Sequence, residues 1–329
     1  MTTKDPSSSS NIFDYDPSQS TVSRSERYRR VYDEYVRAPI TILWEDWRAK
    51  AGLIITSLYL VMGIVGPHVI PKPYPNQAER YILPFQDLSY VFGTDGRGQD
   101  LLGLVVHATP DMLIMIVAGA VFSTVVATVV GIAAGYDRGQ LDQILMTITD
   151  ATIAIPGLII VIVLAAIIEP SNPAIVGILL ASHVWSGIAR SIRSQVLSLR
   201  EESYVEASQV VGLSTATILI RDLLPNVMPY ILINFVNSAR NIIFSSVALY
   251  FLGVLPWTNA NWGVILNQAY NSPALQSLKY IHYLLIPIGT IVFFSLGLIL
   301  LSQGFDRIFN PRIRARHEKS VPDESANNA

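Results

Sequence analysis

Apolar residues fall along this chain in long blocks separated by short polar intervals. At about 1.5 Å of rise per residue, the blocks are long enough to cross a bilayer as helices. The pattern predicts an all-α, polytopic membrane protein with six transmembrane helices, near 51–70, 112–134, 143–168, 174–188, 227–252 and 283–303. The first block starts too deep in the chain, and lacks the short apolar core and small-residue cleavage site, to be a signal peptide. Residues 1–23 are rich in Ser, Thr, Asp and Pro and are expected to be disordered. Residues 24–50 are expected to form surface and interfacial helices, broken at Pro39, with Trp44 and Trp47 at headgroup level. The basic cluster within them reads as a topology signal rather than a lipid-recognition site. An external segment follows over 71–111, then a five-helix core over 112–303, and a polar tail over 304–329.

The longest polar gap inside that core, 189–226, carries an organised stretch rather than a plain linker. On a helical wheel Tyr204, Ala207, Ser208 and Val211 share one face, and Glu202, Glu206 and Gln209 share the opposite one. Gly212 ends the turn as a residue that accepts a left-handed backbone at little cost. Ser214 is positioned to cap a second short helix, with Ala216, Leu219, Ile220 and Leu223 along its apolar side. Pro225 is expected to end that helix, where the chain returns to lipid. A solvated linker with incidental amphipathicity is the plain alternative.

The order Glu206-Ala207-Ser208, three residues, Gly212, then Leu224-Pro225 resembles the EAA loop of ABC importer permeases, with Ser208 in place of the second Ala. In that family the loop forms a coupling helix that docks on the ATPase subunit. The resemblance therefore assigns coupling to Glu202, Tyr204, Glu206, Ala207, Ser208, Val211, Gly212, Leu224 and Pro225. It extends along the chain. Phe92–Leu102 is similar to the GTDxxGRD signature of oligopeptide, dipeptide and nickel-type permeases, with Gln99 in place of the usual Arg. Gly135–Asp142, Ile155-Pro156-Gly157, Phe251-Leu252-Gly253, Asn261-Trp262-Gly263 and the closing Asp306–Arg312 continue it in order. Its proline is expected to kink the third span. A phosphate loop is excluded at 92–102, because the glycines run GxxGxG, no Lys-Ser/Thr follows, and Asp95 and Asp100 repel phosphate. That stretch reads as a tight turn into an Asp-capped helix.

Composition agrees with the membrane assignment. Apolar residues make up 51% and charged residues 15% of the chain, and its net charge of −2 gives no support for nucleic-acid binding. There is no Cys, so no disulfide or thiolate metal site exists, and the five His have no ligand spacing. No Walker-type GxxxxGK[ST] and no Ser-His-Asp arrangement is present. Catalytic, cofactor and metal residues are thus expected to be none. With both termini in the cytoplasm, eighteen Lys and Arg lie inside against four in the external loops. This satisfies the positive-inside rule and puts the EAA-like stretch on the side where ATP is.

The resemblance implies a non-catalytic subunit of the cell membrane. It would form a heterodimer with a related permease, served by two ATPase subunits and an extracytoplasmic solute-binding protein. Dipeptides or oligopeptides are the implied solutes; nickel-chelates and oligosaccharides are alternatives within the family. An ion- or proton-driven carrier is a different class, and would show an inverted repeat and paired membrane carboxylates that this sequence lacks. A membrane scaffold would leave the ordered motifs unexplained. In the fifth span Asn234, Asn237, Ser238, Asn241 and Ser245 form a polar stripe, either lining the translocation pathway or bonding across a dimer seam. Arg240 points about 100° or more away from it. Asp150 reads as a structural intramembrane carboxylate, and is one candidate partner for Arg240.

Overall fold

The computed structural model describes residues 44, 46–256 and 260–309. The expected disordered tail, the surface helix over 24–37, Trp257 and the Asn310-Pro311-Arg312 end of the closing motif lie outside them. The helices are α1 (Trp47–Ile64), α2 (Gly66–Val69), α3 (Leu101–Asp137), α4 (Gln140–Ala154), α5 (Gly157–Ile168) and α6 (Pro173–Leu180). They continue as α7 (Val184–Leu199), α8 (Ser203–Val210), α9 (Thr215–Ile218), α10 (Leu224–Phe251), α11 (Trp262–Tyr270) and α12 (His282–Phe309). Among the described residues, four helical stretches are long and apolar enough to cross a membrane, and up to six spans result if each of two bent pairs counts as one. Trp44 and Trp47 are both exposed at the start of α1.

A bend is expected in the third span from its proline and is present there, whereas the bend in the fourth span is not marked by the hydrophobic pattern. The α4–α5 pair turns through 90° at the expected proline. Ile155, held before Pro156, is extended at φ −86°, ψ 130°, as proline requires of its predecessor. The α6–α7 pair bends by 54° at residues 181–183, where the hydrophobic pattern predicts an uninterrupted fourth span.

Residues 71–100 fold into a compact connector ahead of α3. Asp95 is buried and accepts from the amides of Arg97 and Gln99, both at 2.8 Å. Burial raises its carboxyl above the usual range, against the pull of those two donors. Thr94 accepts from Ile82 N and donates to the Glu79 carbonyl, closing the turn. Asp100 then caps α3 by accepting from Leu102 N and Gly103 N, as the sequence leads one to expect.

Two apolar clusters hold the bundle. One joins α1, the first half of α3, α6, the second half of α10, α11 and α12 around Trp262, Tyr250 and Met112. The other joins the second half of α3, α7, the first half of α10 and the short helices α8 and α9. Close approach of α3 and α7 depends on small residues. A Cβ on Gly131 would lie 2.7 Å from both Ala189 O and Ile192 Cβ, and one on Gly135 would lie 2.7 Å from Val196 Cβ.

Candidate functional site

The α8–α9 unit projects from the second cluster, and three buried side chains root it there. Val205 is the buried residue of α8, Ile218 that of α9, and Leu223 that of the π-helical turn Leu219–Leu223 that follows. The helical wheel did not single out Val205, which lies between the two faces described above. On the second helix the buried residues are Ile218 and Leu223, whereas Ala216 is exposed and Ile220 is 65% exposed. The π turn explains this shift. Its wider period brings residues five apart onto one side, so the 3.6-residue pattern gives the wrong register there.

The joint between α8 and α9 is tightly specified. Gly212 has φ +81°, where a side chain is strained, and its amide donates to Gln209 O at 3.0 Å. Leu213 N donates to Ser208 O at 3.1 Å, which completes a Schellman closure of α8. Ser214 caps α9 by accepting from Thr217 N. The glycine turn and the serine cap therefore stand where the sequence placed them.

Pro225 does not end a helix. Helical backbone runs without a break from Thr215 to Phe251, and Pro225 sits in the first turn of α10. A proline is tolerated there because its missing N–H belongs to a turn the π helix has already widened, with Leu224 N donating back to Leu219 O. Asn226 stitches the corner: its Nδ2 donates to Asp222 O at 2.6 Å and to the Tyr204 hydroxyl at 3.2 Å. Burial, then the nearby carboxylates of Glu202 and Asp222, raise the Tyr204 hydroxyl pKa.

What this frame presents outward is apolar. Val210 and Val211 are 82% and 78% exposed at the tip, beside Ile220 and partly exposed Leu213. Glu202, Glu206 and Ala207 are exposed around them, and Ser208 is half-buried. These aliphatic side chains are uncovered by the rest of the chain, on a turn closed by hydrogen bonds.

The polar stripe of the fifth span is split by the structure. Ser238 is buried within the chain, while Asn234, Asn237 and Ser245 are half-buried and Asn241 is exposed. Asn234 donates to Tyr230 O one turn back. The uncovered face of α10 is carried by Asn237, Asn241, Phe244 and Ala248. Asp150 pairs with Arg190 of α7 and not with Arg240. Arg240 is half-buried, with no hydrogen bond or ion pair among the described residues. No three His, Asp or Glu side chains gather as metal ligands among the described residues.

Comparison with known proteins identifies this architecture. The family described as binding-protein-dependent transport system inner membrane component matches residues 127–315, which include the α8–α9 unit. The chain is 29% identical over 310 residues to the dipeptide transport system permease protein DppC of Bacillus subtilis, covering 91% of this chain and 94% of that protein. It is 30% identical over 270 residues to the oligopeptide transport system permease protein OppC of the same organism, covering 81% and 86%. A DppC of Lactococcus lactis is 31% identical over 226 residues, covering 68% of this chain and 64% of the relative. The chain belongs to the family of binding-protein-dependent transport system inner membrane components.

Proposed function

We propose that this chain is the permease subunit of an ATP-driven ABC importer for dipeptides or oligopeptides. It forms one half of a two-permease pore with a related chain. The α8–Gly212–α9 unit is its coupling element, docking by Val210, Val211 and the surrounding Glu202, Tyr204, Glu206, Ala207 and Ser208 on a cytoplasmic ATPase subunit. The observation that carries this reading is the exposed apolar tip on a rigid, core-rooted turn, at the positions of the EAA-like motif. A tip so held transmits displacement to α7 and α10 instead of absorbing it. The solute class rests on the peptide-transport relatives. Both termini are cytoplasmic in this reading, in keeping with the distribution of Lys and Arg. A second ATPase subunit serves the partner permease, and an extracytoplasmic binding protein delivers solute to the opposite face.

On the uncovered face of α10, Asn237 and Asn241 line the pathway, with Asn234 and Ser245 at its margins. Buried Ser238 does not contact solute. A cation in a membrane-spanning helix is costly without a counter-charge, so Arg240 takes an anionic partner from outside the described residues.

Uptake tests the reading. The chain, co-expressed with its neighbouring permease and ATPase subunits and supplied with the binding protein, is reconstituted in vesicles loaded with ATP. Labelled di- and oligopeptides are expected to accumulate with ATP and to be unaffected by an ionophore. Ionophore-sensitive uptake would instead indicate a secondary carrier. Accumulation of nickel-chelates or oligosaccharides in place of peptides would replace the solute class.

A further inference from the structure

The first half of the broken span is attached to the bundle with little apolar burial: no apolar side chain of α4 is fully buried, and Leu145 and Met146 are half-buried. Among the 15 residues of α4, the buried ones are Asp142 and Thr149. Leu141, Ile144 and Ile148 all point outward. What joins α4 to α7 is charge. Arg193 donates from Nε and Nη2 to the two carboxylate oxygens of Asp142, both at 2.6 Å, in a bidentate pair. Arg190 pairs with Asp150 two turns further along α4.

The turn preceding α4 is held in the same way. Arg138, at φ 53°, donates to Glu201 Oε1 at 2.6 Å and to Leu197 O at 3.2 Å. From the opposite side Arg200 donates to the Tyr136 carbonyl and lies over the Tyr136 ring, 5.5 Å from its centre. Four arginines thus tie residues 136–150 to residues 190–201. The latter are the stem of α8: three residues beyond Arg200 the chain enters the helix whose Val205 sits in the same cluster as Ile192 and Val196.

We infer that these arginines form a latch that makes the α3–α4 turn and α4 move with the coupling unit, with Asp142 and Arg193 as its principal positioning residues. The inference rests on the proposed role of α8–α9. A push received at the tip passes along α7, which is packed on α3 through Gly131 and Gly135. It reaches α4 through ion pairs more than through a packed apolar seam, whereas α5 packs on the first cluster by Val161 and Ala165. Ion pairs of this kind are directional and have little beneath them. Removing one partner frees α4 without opening the apolar cluster. Asp142 is the most buried carboxylate of the set, so its pair is the one whose loss leaves an unmatched charge.

The test uses the complete complex in proteoliposomes, with Arg193→Gln, Asp142→Asn, and the charge-reversed double variant Asp142→Arg/Arg193→Asp. The expected result is retained ATPase association and ATP hydrolysis in the single variants. Solute moved per ATP is expected to fall by about fivefold or more, the range of ordinary coupling effects. The reversed pair is expected to regain part of the loss. A role confined to stability would lower the melting temperature and leave that ratio unchanged.

Spin labels at Gln143→Cys and Gln209→Cys, both exposed in a naturally Cys-free chain, read the latch directly. The wild type should give one narrow distance, and Arg193→Gln a broad distribution. Three outcomes would overturn the latch: an unchanged ratio and distance in Arg193→Gln, a reversed pair with no recovery, or loss of ATPase binding in the single variants. Should wild-type complex take up no peptide, the proposed function fails, while the spin-label distances still judge the latch.

Discussion

Gly212→Val isolates the contribution of the α8–α9 joint. At φ +81° the backbone is in the left-handed region, and a Cβ there would meet nothing within 4 Å. The substitution therefore brings no clash, and its cost is backbone strain alone, about 1–3 kcal/mol for a non-glycine residue in this region. Valine, branched at Cβ, belongs at the upper end. The strain is relieved by rotating φ, which breaks the Gly212 N to Gln209 O and Leu213 N to Ser208 O bonds and turns Val210 and Val211 away. A cost of about 2 kcal/mol reduces the docking-competent population by about thirtyfold. Gly212→Asn is the control, since asparagine enters the left-handed region with far less penalty. The assay is ATPase-subunit capture and vesicle uptake at matched expression in the membrane. The valine variant is expected to weaken both by about one to two orders of magnitude, and the asparagine variant by a few-fold at most. Equal effects of the two substitutions, or normal coupling by Gly212→Val, would refute the argument from backbone geometry.

Other sites give further tests. Gly177→Leu drives a side chain into the backbone of Met115 where α6 crosses α3, and is expected to destabilise by about 1–3 kcal/mol or more. Gly187→Ala, at an exposed helical site with nothing within 4 Å, should not lower thermal stability in detergent and is expected to raise it slightly, by about 0.5–1 kcal/mol of helix propensity. Cysteine introduced at 237 or 241 should react with a water-soluble thiol reagent in the active complex, and labelling should change with ATP. Cysteine at buried 238 should stay inert, and reversal of that order would place the pathway on another face of α10.

The sequence made local features visible and left tertiary ones hidden. The Asp100 cap, the left-handed Gly212 and the Ser214 cap were legible because each depends on one residue type and its immediate neighbours. Long apolar runs located the spans for the same reason. Val205 was hidden because an eight-residue helix has no periodicity strong enough to reveal which side meets a neighbour. The exposure of Ile220 was misread because a π turn changes the period without a sequence mark. Pro156 announced a break, but a proline constrains its predecessor and leaves the angle to the surroundings. Asp150 and Arg190, like Asp142 and Arg193, stand 40 and 51 residues apart, and only packing of α4 on α7 brings them together. Ser238 shared a wheel face with Asn234 and Asn241, yet a wheel cannot say which flank a neighbouring helix covers.

The central claim is that the tip at Val211 meets the ATPase. Photoactivatable cross-linkers placed singly at Val211 and at Leu278, exposed at 78% and 86%, test it in intact cells. Leu278 precedes α12, in the loop assigned to the external side. The account predicts that position 211 captures an ATPase subunit, with a yield that changes with nucleotide, and that position 278 captures none. An ATPase captured from 278 and absent from 211 would contradict both the coupling site and the orientation of the chain.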